Sequence, residues 1–282
     1  MVRKEGHTAK HLIQLQELVA ARAQQQASMP SQRLQQLDKN IATLAGELPV
    51  ELKTHFNRLL QKSIEAIVPV TGGNCSGCGF ALTKTMINSI HAGDELNRCP
   101  NCTRILYAPD IPLTRRSPRR RWGDPVKRGI ERFSAPELMI ASLQGTTKEE
   151  VLLEMCENLR AEGYIENCTD LHDAALRREA IVSTAVEHGI AFPHVRGVEG
   201  GGLTLTLGVS KKGVEFGAPG EKLTKIFFYM VIPTAASAFY LKLLSGLTQS
   251  FATKEARDSL LKAKTQEELW KALVKATKKM IQ

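Results

Sequence analysis

The sequence predicts a multi-domain chain: an α-helical, coiled-coil arm ending in a four-cysteine segment, then an α/β domain with a small mixed β-sheet flanked by helices. Three observations carry that reading. Apolar residues recur at three- and four-residue spacings up to about residue 67, and from Ser134 onward the pattern alternates helices and strands. Four of the six cysteines form two C-x-x-C pairs between these regions. The formal net charge of +9 sits entirely in residues 1–132, because residues 133–282 carry eighteen basic and eighteen acidic side chains. A charge step of this kind marks a junction between domains. The boundaries expected from it are 1–70 for the arm, 71–110 for the cysteine segment, 111–131 for a basic Pro/Arg linker and 132–282 for the α/β domain.

In the arm, Leu12, Leu15, Leu18, Val19 and Ala20 give one helical stripe, and Leu34, Leu37, Ile41 and Leu44 give a second. Pro30 separates them and suits the first turn of the second helix. A third helix is expected from Val50 to about Ala66, with Leu52, Phe56, Leu59, Leu60 and Ile64 on one side. The stripes are narrow and the other faces polar, which fits a hairpin or short coiled coil, pairing in cis or in trans. Val68-Pro69-Val70-Thr71-Gly72-Gly73 ends the helices.

Cys75-x-x-Cys78 and Cys99-x-x-Cys102 lie twenty residues apart. Two-residue spacing lets a tight turn aim both thiolates at one ion, and two such knuckles complete a tetrahedral shell. Four thiolates leave no open position for a substrate water, so the expected cofactor is a structural Zn2+ that supplies folding energy to a small core. Disulfides and an iron–sulfur site are competing uses of these residues; disulfides suit a reducing compartment poorly. Gly73, Gly77, Gly79 and Asn101 are the expected sources of turn freedom. His91 reads as a surface histidine. Together with Leu48-Pro49-Val50-Glu51-Leu52, Val68-Pro69-Val70 and Arg98-Cys-Pro-Asn-Cys-Thr-Arg-Ile-Leu-Tyr107, the pairs resemble bacterial C4-type zinc-ribbon proteins with a coiled-coil N-terminus, over roughly residues 10–110. The resemblance implies a protein- or nucleic-acid-binding module with no activity attached.

After Cys102 the chain is rich in proline and arginine, including Arg115-Arg116 and Arg119-Arg120-Arg121, as in an extended linker. The same run could make phosphate contacts with nucleic acid, driven by charge and weakened by salt. Farther on, Ser134-Ala-Pro-Glu137, Thr147-Lys-Glu-Glu150 and Thr265-Gln-Glu-Glu268 have the form of capping boxes. The helix after Thr147 places Val151, Leu152, Met155 and Leu159 on one face and stops at Gly163. Leu203 to Val209 alternates like a half-exposed strand, whereas Lys225 to Ile232 reads as a strand buried on both faces. Phe239 to Phe251 and Leu269 to Met280 read as amphipathic helices.

The most informative segment is Gly189-Ile-Ala-Phe-Pro-His194. It puts a histidine, which titrates near neutral pH, directly after a proline, where a short apolar strand is expected to run out into a loop. With Thr147-Lys-Glu-Glu-Val151, Leu176-Arg-Arg-Glu-Ala180, Ser183-Thr184, the strand ending Val231-Ile-Pro233 and the helix Leu241–Leu247, it resembles the enzyme IIA domain, fructose–mannitol–nitrogen type, of the phosphoenolpyruvate-dependent phosphotransferase system, over residues 132–282. The resemblance implies that His194 accepts a phosphoryl group from the phosphohistidine of a small phosphocarrier protein. It further implies that Arg178 clamps that group and that Thr184 donates a hydrogen bond near it. Tyr240 stands where the family commonly has a second histidine; its hydroxyl can still hydrogen-bond an imidazole or phosphate, but it is not cationic. His188, Arg196 and an inward-turned Lys242 are further candidates, each with an ordinary surface or loop reading beside it. Cys156 and Cys168 read as small packed residues.

No apolar run is long enough to span a bilayer and no apolar signal region follows the N-terminus, so a cytoplasmic location without membrane partners is expected. The favoured function is a phosphotransferase-system-type regulator, phosphorylated on His194 and signalling to a protein target through its zinc-ribbon arm, with a coiled-coil homodimer as one assembly. The alternatives are a non-catalytic zinc-ribbon adaptor with a degenerate IIA-like domain, binding nucleic acid or protein, and a stand-alone sugar-specific enzyme IIA.

Overall fold

The computed structural model describes residues 4–25, 31–63, 65–93, 95–108, 127–198, 201–218, 223–233 and 237–281. The chain divides into two compact units, Met1–Pro112 and Leu113–Gln282. Pro30, Ile64 and the arginine run 115–121 fall outside the described residues.

The first unit contains α1 (Lys4–Gln25), α2 (Ser31–Gly46), α3 (Val50–Lys62), β1 (Ile67–Thr71), β2 (Asn74–Cys75), α4 (Lys84–Ala92) and β3 (Ile105–Tyr107). Helices α1 and α2 pair in cis, and Arg22 meets Asp38 across them at an exposed position where an ion pair adds little. Helix α3 stops a turn earlier than the sequence suggests. Ser63 turns extended (φ −154°, ψ 151°), and its N–H closes on Leu59 O. The stretch read as a lead into the cysteines is a strand: β1 pairs in parallel with β3, Ile67 opposite Ile105, and antiparallel with β2.

Alternation along β1 and β3 separates two cores. Ile67 and Ile105 face Leu12, Leu15, Leu48, Phe56 and Leu59 of the arm, whereas Val68, Val70 and Leu106 pack with Leu82, Ile90, Cys75 and Cys99. Helix α4, not foreseen in the sequence, covers the second core, capped by Thr83 at its start and by left-handed Gly93 (φ 69°) at its end.

One arm side chain completes the strand edge. Gln16, 6% exposed, accepts from the N–H groups of Ala66 (2.7 Å) and Ile67 (2.9 Å) and donates to Ile67 O (3.0 Å). Gln16→Ala is expected to destabilise the first unit by about 2–3 kcal/mol, since it orphans three buried backbone groups. A urea midpoint equal to the wild type would show that these bonds contribute nothing.

The second unit contains β4 (Met139–Ile140), α5 (Lys148–Ala161), α6 (Cys168–Ile181), β5 (Ala185–Val186), β6 (Ile190–Ala191), β7 (His194–Val198), β8 (Thr204–Val214), β9 (Thr224–Pro233), α7 (Ser237–Ser250), α8 (Lys254–Lys262) and α9 (Gln266–Thr277). The sheet is mixed, in the order β4-β8-β9-β6-β5, with β7 also on β9. Strand β9 is buried on both faces as its composition suggests. Strand β8 is not half-exposed: Thr204 and Thr206 are buried like their apolar neighbours because α5 and α8 both pack against it.

The Thr147–Glu150 capping box forms in full. Thr265 caps α9, but Glu268 reaches back to the N–H of Lys264 instead of that of Thr265. Ser134 starts no α-helix; its hydroxyl donates to Leu205 O at 2.7 Å and only a single 3-10 turn, Pro136–Leu138, follows. Ile130, within the stretch read as linker, is 2% exposed.

Candidate functional site

His194 opens β7, opposite Met230 of β9, rather than lying in a loop. Strands β6 and β7 both run parallel along β9, interrupted at Phe192-Pro193, where proline has no N–H to give. The carbonyl of Pro193 still accepts from Met230 N at 2.9 Å. Phe192, 1% exposed, stacks on Phe228 with ring centroids 5.4 Å apart, so the residues before the histidine are held from both backbone and side chain.

His194 is 3% exposed, and the partners of its imidazole fix the ring proton. Nδ1 lies 3.0 Å from Phe192 O, which can only accept, so Nδ1 carries hydrogen. Arg178 donates from Nε to His194 Nε2 at 3.1 Å, so Nε2 presents its lone pair. Arg178 stands in the last turn of α6 and also donates from Nη1 to Val182 O at 3.0 Å, a helix-end placement that suits a cation. From α7, the Tyr240 hydroxyl lies 3.3 Å from Nδ1 and 3.5 Å from Nε2. The hydroxyl is thus within reach of both ring nitrogens and favours neither strongly. The Arg196 guanidinium sits 6.0 Å from the Tyr240 ring centroid, a cation–π distance. His194, Arg178, Tyr240 and Arg196 thus converge.

Thr184 is placed differently from the expectation of a donor aimed at the site. Its hydroxyl donates to Glu179 Oε2 and its N–H to Glu179 Oε1, both at 2.7 Å, while its carbonyl accepts from Phe192 N at 3.1 Å. Glu179 is the residue that sequence reasoning missed. It is 4% exposed, and burial pushes its carboxyl above the usual range despite the Thr184 bonds. The folded state therefore holds this proton more tightly than the unfolded chain. Its contribution to stability is largest below the unfolded value and falls as pH rises through the raised one.

Lys242 is exposed and does not turn inward. His188 is exposed at the tip of the β5–β6 hairpin, where it and Gly189 are both left-handed (φ 67° and 72°). Cys156 and Cys168 are buried; Cys156 lies 3.5 Å from the Tyr229 hydroxyl, and burial pushes its thiol up to about 12, as suits an inert packed residue.

In the first unit, the Sγ atoms of Cys75, Cys78, Cys99 and Cys102 all lie within 4.8 Å of one another. Cys75–Cys102 and Cys78–Cys99 are 3.7 Å and 3.6 Å apart. Tetrahedral zinc with bonds of ~2.3 Å requires sulfur pairs ~3.8 Å apart, so the donor set fits the ion. The two knuckles repeat one turn: Gly79 N bonds Cys75 O, and Thr103 N bonds Cys99 O. Each knuckle ends left-handed, at Gly79 (φ 76°) and at Thr103 (φ 61°), so Thr103 takes the role expected of Asn101. Arg104 ties the knuckles to the end of α3, donating to Gly77 O, Glu65 O and the Ser63 hydroxyl, while His55 of α3 donates from Nε2 to Thr103 O at 2.9 Å. His91 is exposed.

Residues 132–276, just over half the chain, match the family described as phosphoenolpyruvate-dependent sugar phosphotransferase system, EIIA 2. The chain belongs to this family. Residues 74–106 match the C4-type zinc ribbon domain, and the four cysteines are those of a structural Zn2+ site. The EIIA 2 region is similar to the PTS system fructose-specific EIIA component of Haloferax volcanii, 27% identical over 138 residues that make up 49% of this chain and 90% of that protein. It is also similar to the nitrogen regulatory protein of Pseudomonas aeruginosa, 28% identical over 148 residues, 51% of this chain and 94% of that one. The crystal structure of the nitrogen regulatory protein IIA-Ntr from Neisseria meningitidis is 25% identical, with a TM-score of 0.46, covering 50% of this chain and 96% of that one. An EIIA 2 domain supports a phosphotransferase-type regulatory or phosphoryl-carrier role, here joined to a zinc ribbon. Among the described residues, no helix is long and apolar enough to cross a membrane.

Proposed function

We propose that this EIIA 2 protein is a regulatory phosphoryl acceptor, with His194 Nε2 as the accepting atom and a phosphocarrier protein as donor. The observation that carries this reading is the pair of bonds on the imidazole: Nδ1–H is committed to Phe192 O, and Nε2 keeps its lone pair under Arg178. In the transfer, that lone pair forms the new N–P bond while the donor's P–N bond breaks and its electron pair returns to the donor imidazole. The proton stays on Nδ1, where the Phe192 carbonyl stabilises the positive character the ring acquires. Arg178 leaves Nε2 and places its fork on the phosphoryl oxygens, close to where its Nε already points. The Tyr240 hydroxyl donates to an oxygen of the same group. The zinc-ribbon arm then carries the phosphorylation state to a protein target, in the cytoplasm.

The adaptor reading draws on one observation: Tyr240 supplies a neutral hydroxyl where the family commonly has a second histidine, next to a histidine only 3% exposed. Incubation of the full chain with phosphoenolpyruvate, the first enzyme of the system and the phosphocarrier separates the two. Acid-labile label that disappears in His194→Ala supports the acceptor. Absence of label, or label that survives His194→Ala, overturns it.

A further inference from the structure

We propose that Glu179 is a positioning residue for His194, acting through Thr184 and Phe192 to hold the imidazole as its Nδ1–H tautomer. Three successive links make the connection. Both oxygens of the Glu179 carboxyl accept from Thr184, one from its N–H and one from its hydroxyl, at 2.7 Å each. Thr184 O accepts from Phe192 N at 3.1 Å, and Phe192 O accepts from His194 Nδ1 at 3.0 Å. Each group in the chain is buried: Glu179 is 4% exposed, Thr184 4%, Phe192 1% and His194 3%. Water cannot substitute freely for any lost bond, so the direction of the Phe192 carbonyl follows the position of Thr184.

The arrangement gives two consecutive residues of α6 complementary tasks. Arg178 addresses Nε2 directly, and Glu179 sets Nδ1 through the backbone at the start of β5. A histidine whose second nitrogen is fixed by a backbone carbonyl has its tautomer, and hence its nucleophilic atom, chosen in advance. A carboxylate suits the task because two donors from one residue converge on it. Glutamine keeps both contacts, accepting from the N–H and donating to the hydroxyl oxygen; alanine leaves both buried groups without a partner.

The inference rests on His194 as the acceptor, but its first readout needs no phosphate. Nitrogen-15 spectra of the full zinc-loaded chain, with the His194 signals assigned by their loss in His194→Ala, report which ring nitrogen is protonated at about pH 8, where imidazole is neutral. The wild type is expected to show Nδ1 protonated and Nε2 bare. Glu179→Ala and Thr184→Val are expected to mix the two tautomers, and Glu179→Gln and Thr184→Ser to restore the wild-type pattern. In the phosphocarrier assay, Glu179→Ala is expected to lower the maximal transfer rate roughly 10–100-fold, as misplacement of a reacting group does, with little change in the carrier concentration for half-saturation. If Glu179→Ala fails to fold, the Thr184→Val and Thr184→Ser pair decides the question. A folded Glu179→Ala or Thr184→Val protein with the wild-type spectrum overturns the proposal. A tautomer that responds in a protein taking no label upholds the relay and refutes the acceptor function instead.

Discussion

Cys75→Ser is expected to cost the first unit both its metal and most of its fold. Cys75 is fully buried, Cys99 is 1% exposed, and the core around them contains few other large side chains, chiefly Val68, Val70, Leu82, Ile90 and Leu106. So small a core does not offset the entropy of ordering two knuckles and α4. Structural zinc contributes about 10–16 kcal/mol of apparent binding energy in small domains, and a three-thiolate site forfeits much of it. The loss spreads to the arm, because Arg104 and His55 join the knuckles to α3 and Gln16 joins α1 to β1. Metal analysis should give less than one zinc per chain, and the melt of the first unit should broaden or vanish. The second unit has its own sheet core and should keep its transition. A Cys75→Ser protein with undiminished zinc and an unchanged melt would refute the structural role of the metal.

Arg178→Ala is expected to slow phosphorylation about 100–1000-fold, the usual cost of removing a donor aimed at developing charge. Arg178→Lys should recover little of the rate. A lysine has no planar fork, and it cannot both meet the phosphoryl oxygens and hold Val182 O. Initial rates of label transfer from the phosphocarrier check both variants. An Arg178→Ala rate within about threefold of the wild type would remove the arginine from the mechanism; a small effect of that size is what a surface substitution gives.

The parts of this molecule legible in the sequence were those set by local pattern. The Thr147 box, the end of α5 at Gly163 (φ 74°), the doubly buried β9 and the two C-x-x-C knuckles each depend on residues close together in the chain. The parts that were not legible depend on distant partners. Strand β1 exists because β3, nearly forty residues on, lies beside it, and His194 is a strand residue because β9 offers an edge on both sides of Pro193. The buried threonines of β8 look like a solvated face until α5 and α8 cover them. Glu179 follows two arginines, and nothing local marks it as buried; only the return of the chain at Thr184 makes it a buried acceptor. Of the site itself, His194, Arg178 and Tyr240 could be nominated from the sequence, whereas the division of work between the two imidazole nitrogens required the geometry.

The central claim is that His194 Nε2 receives a phosphoryl group. It is tested most directly by phosphorylating the nitrogen-15-labelled full chain through the phosphocarrier and locating the N–P bond by phosphorus–nitrogen coupling. The structure predicts one acid-labile phosphoryl group per chain, bonded to Nε2 of His194, with Nδ1 still protonated. A phosphoryl group on Nδ1, on another residue, or absent altogether would contradict it.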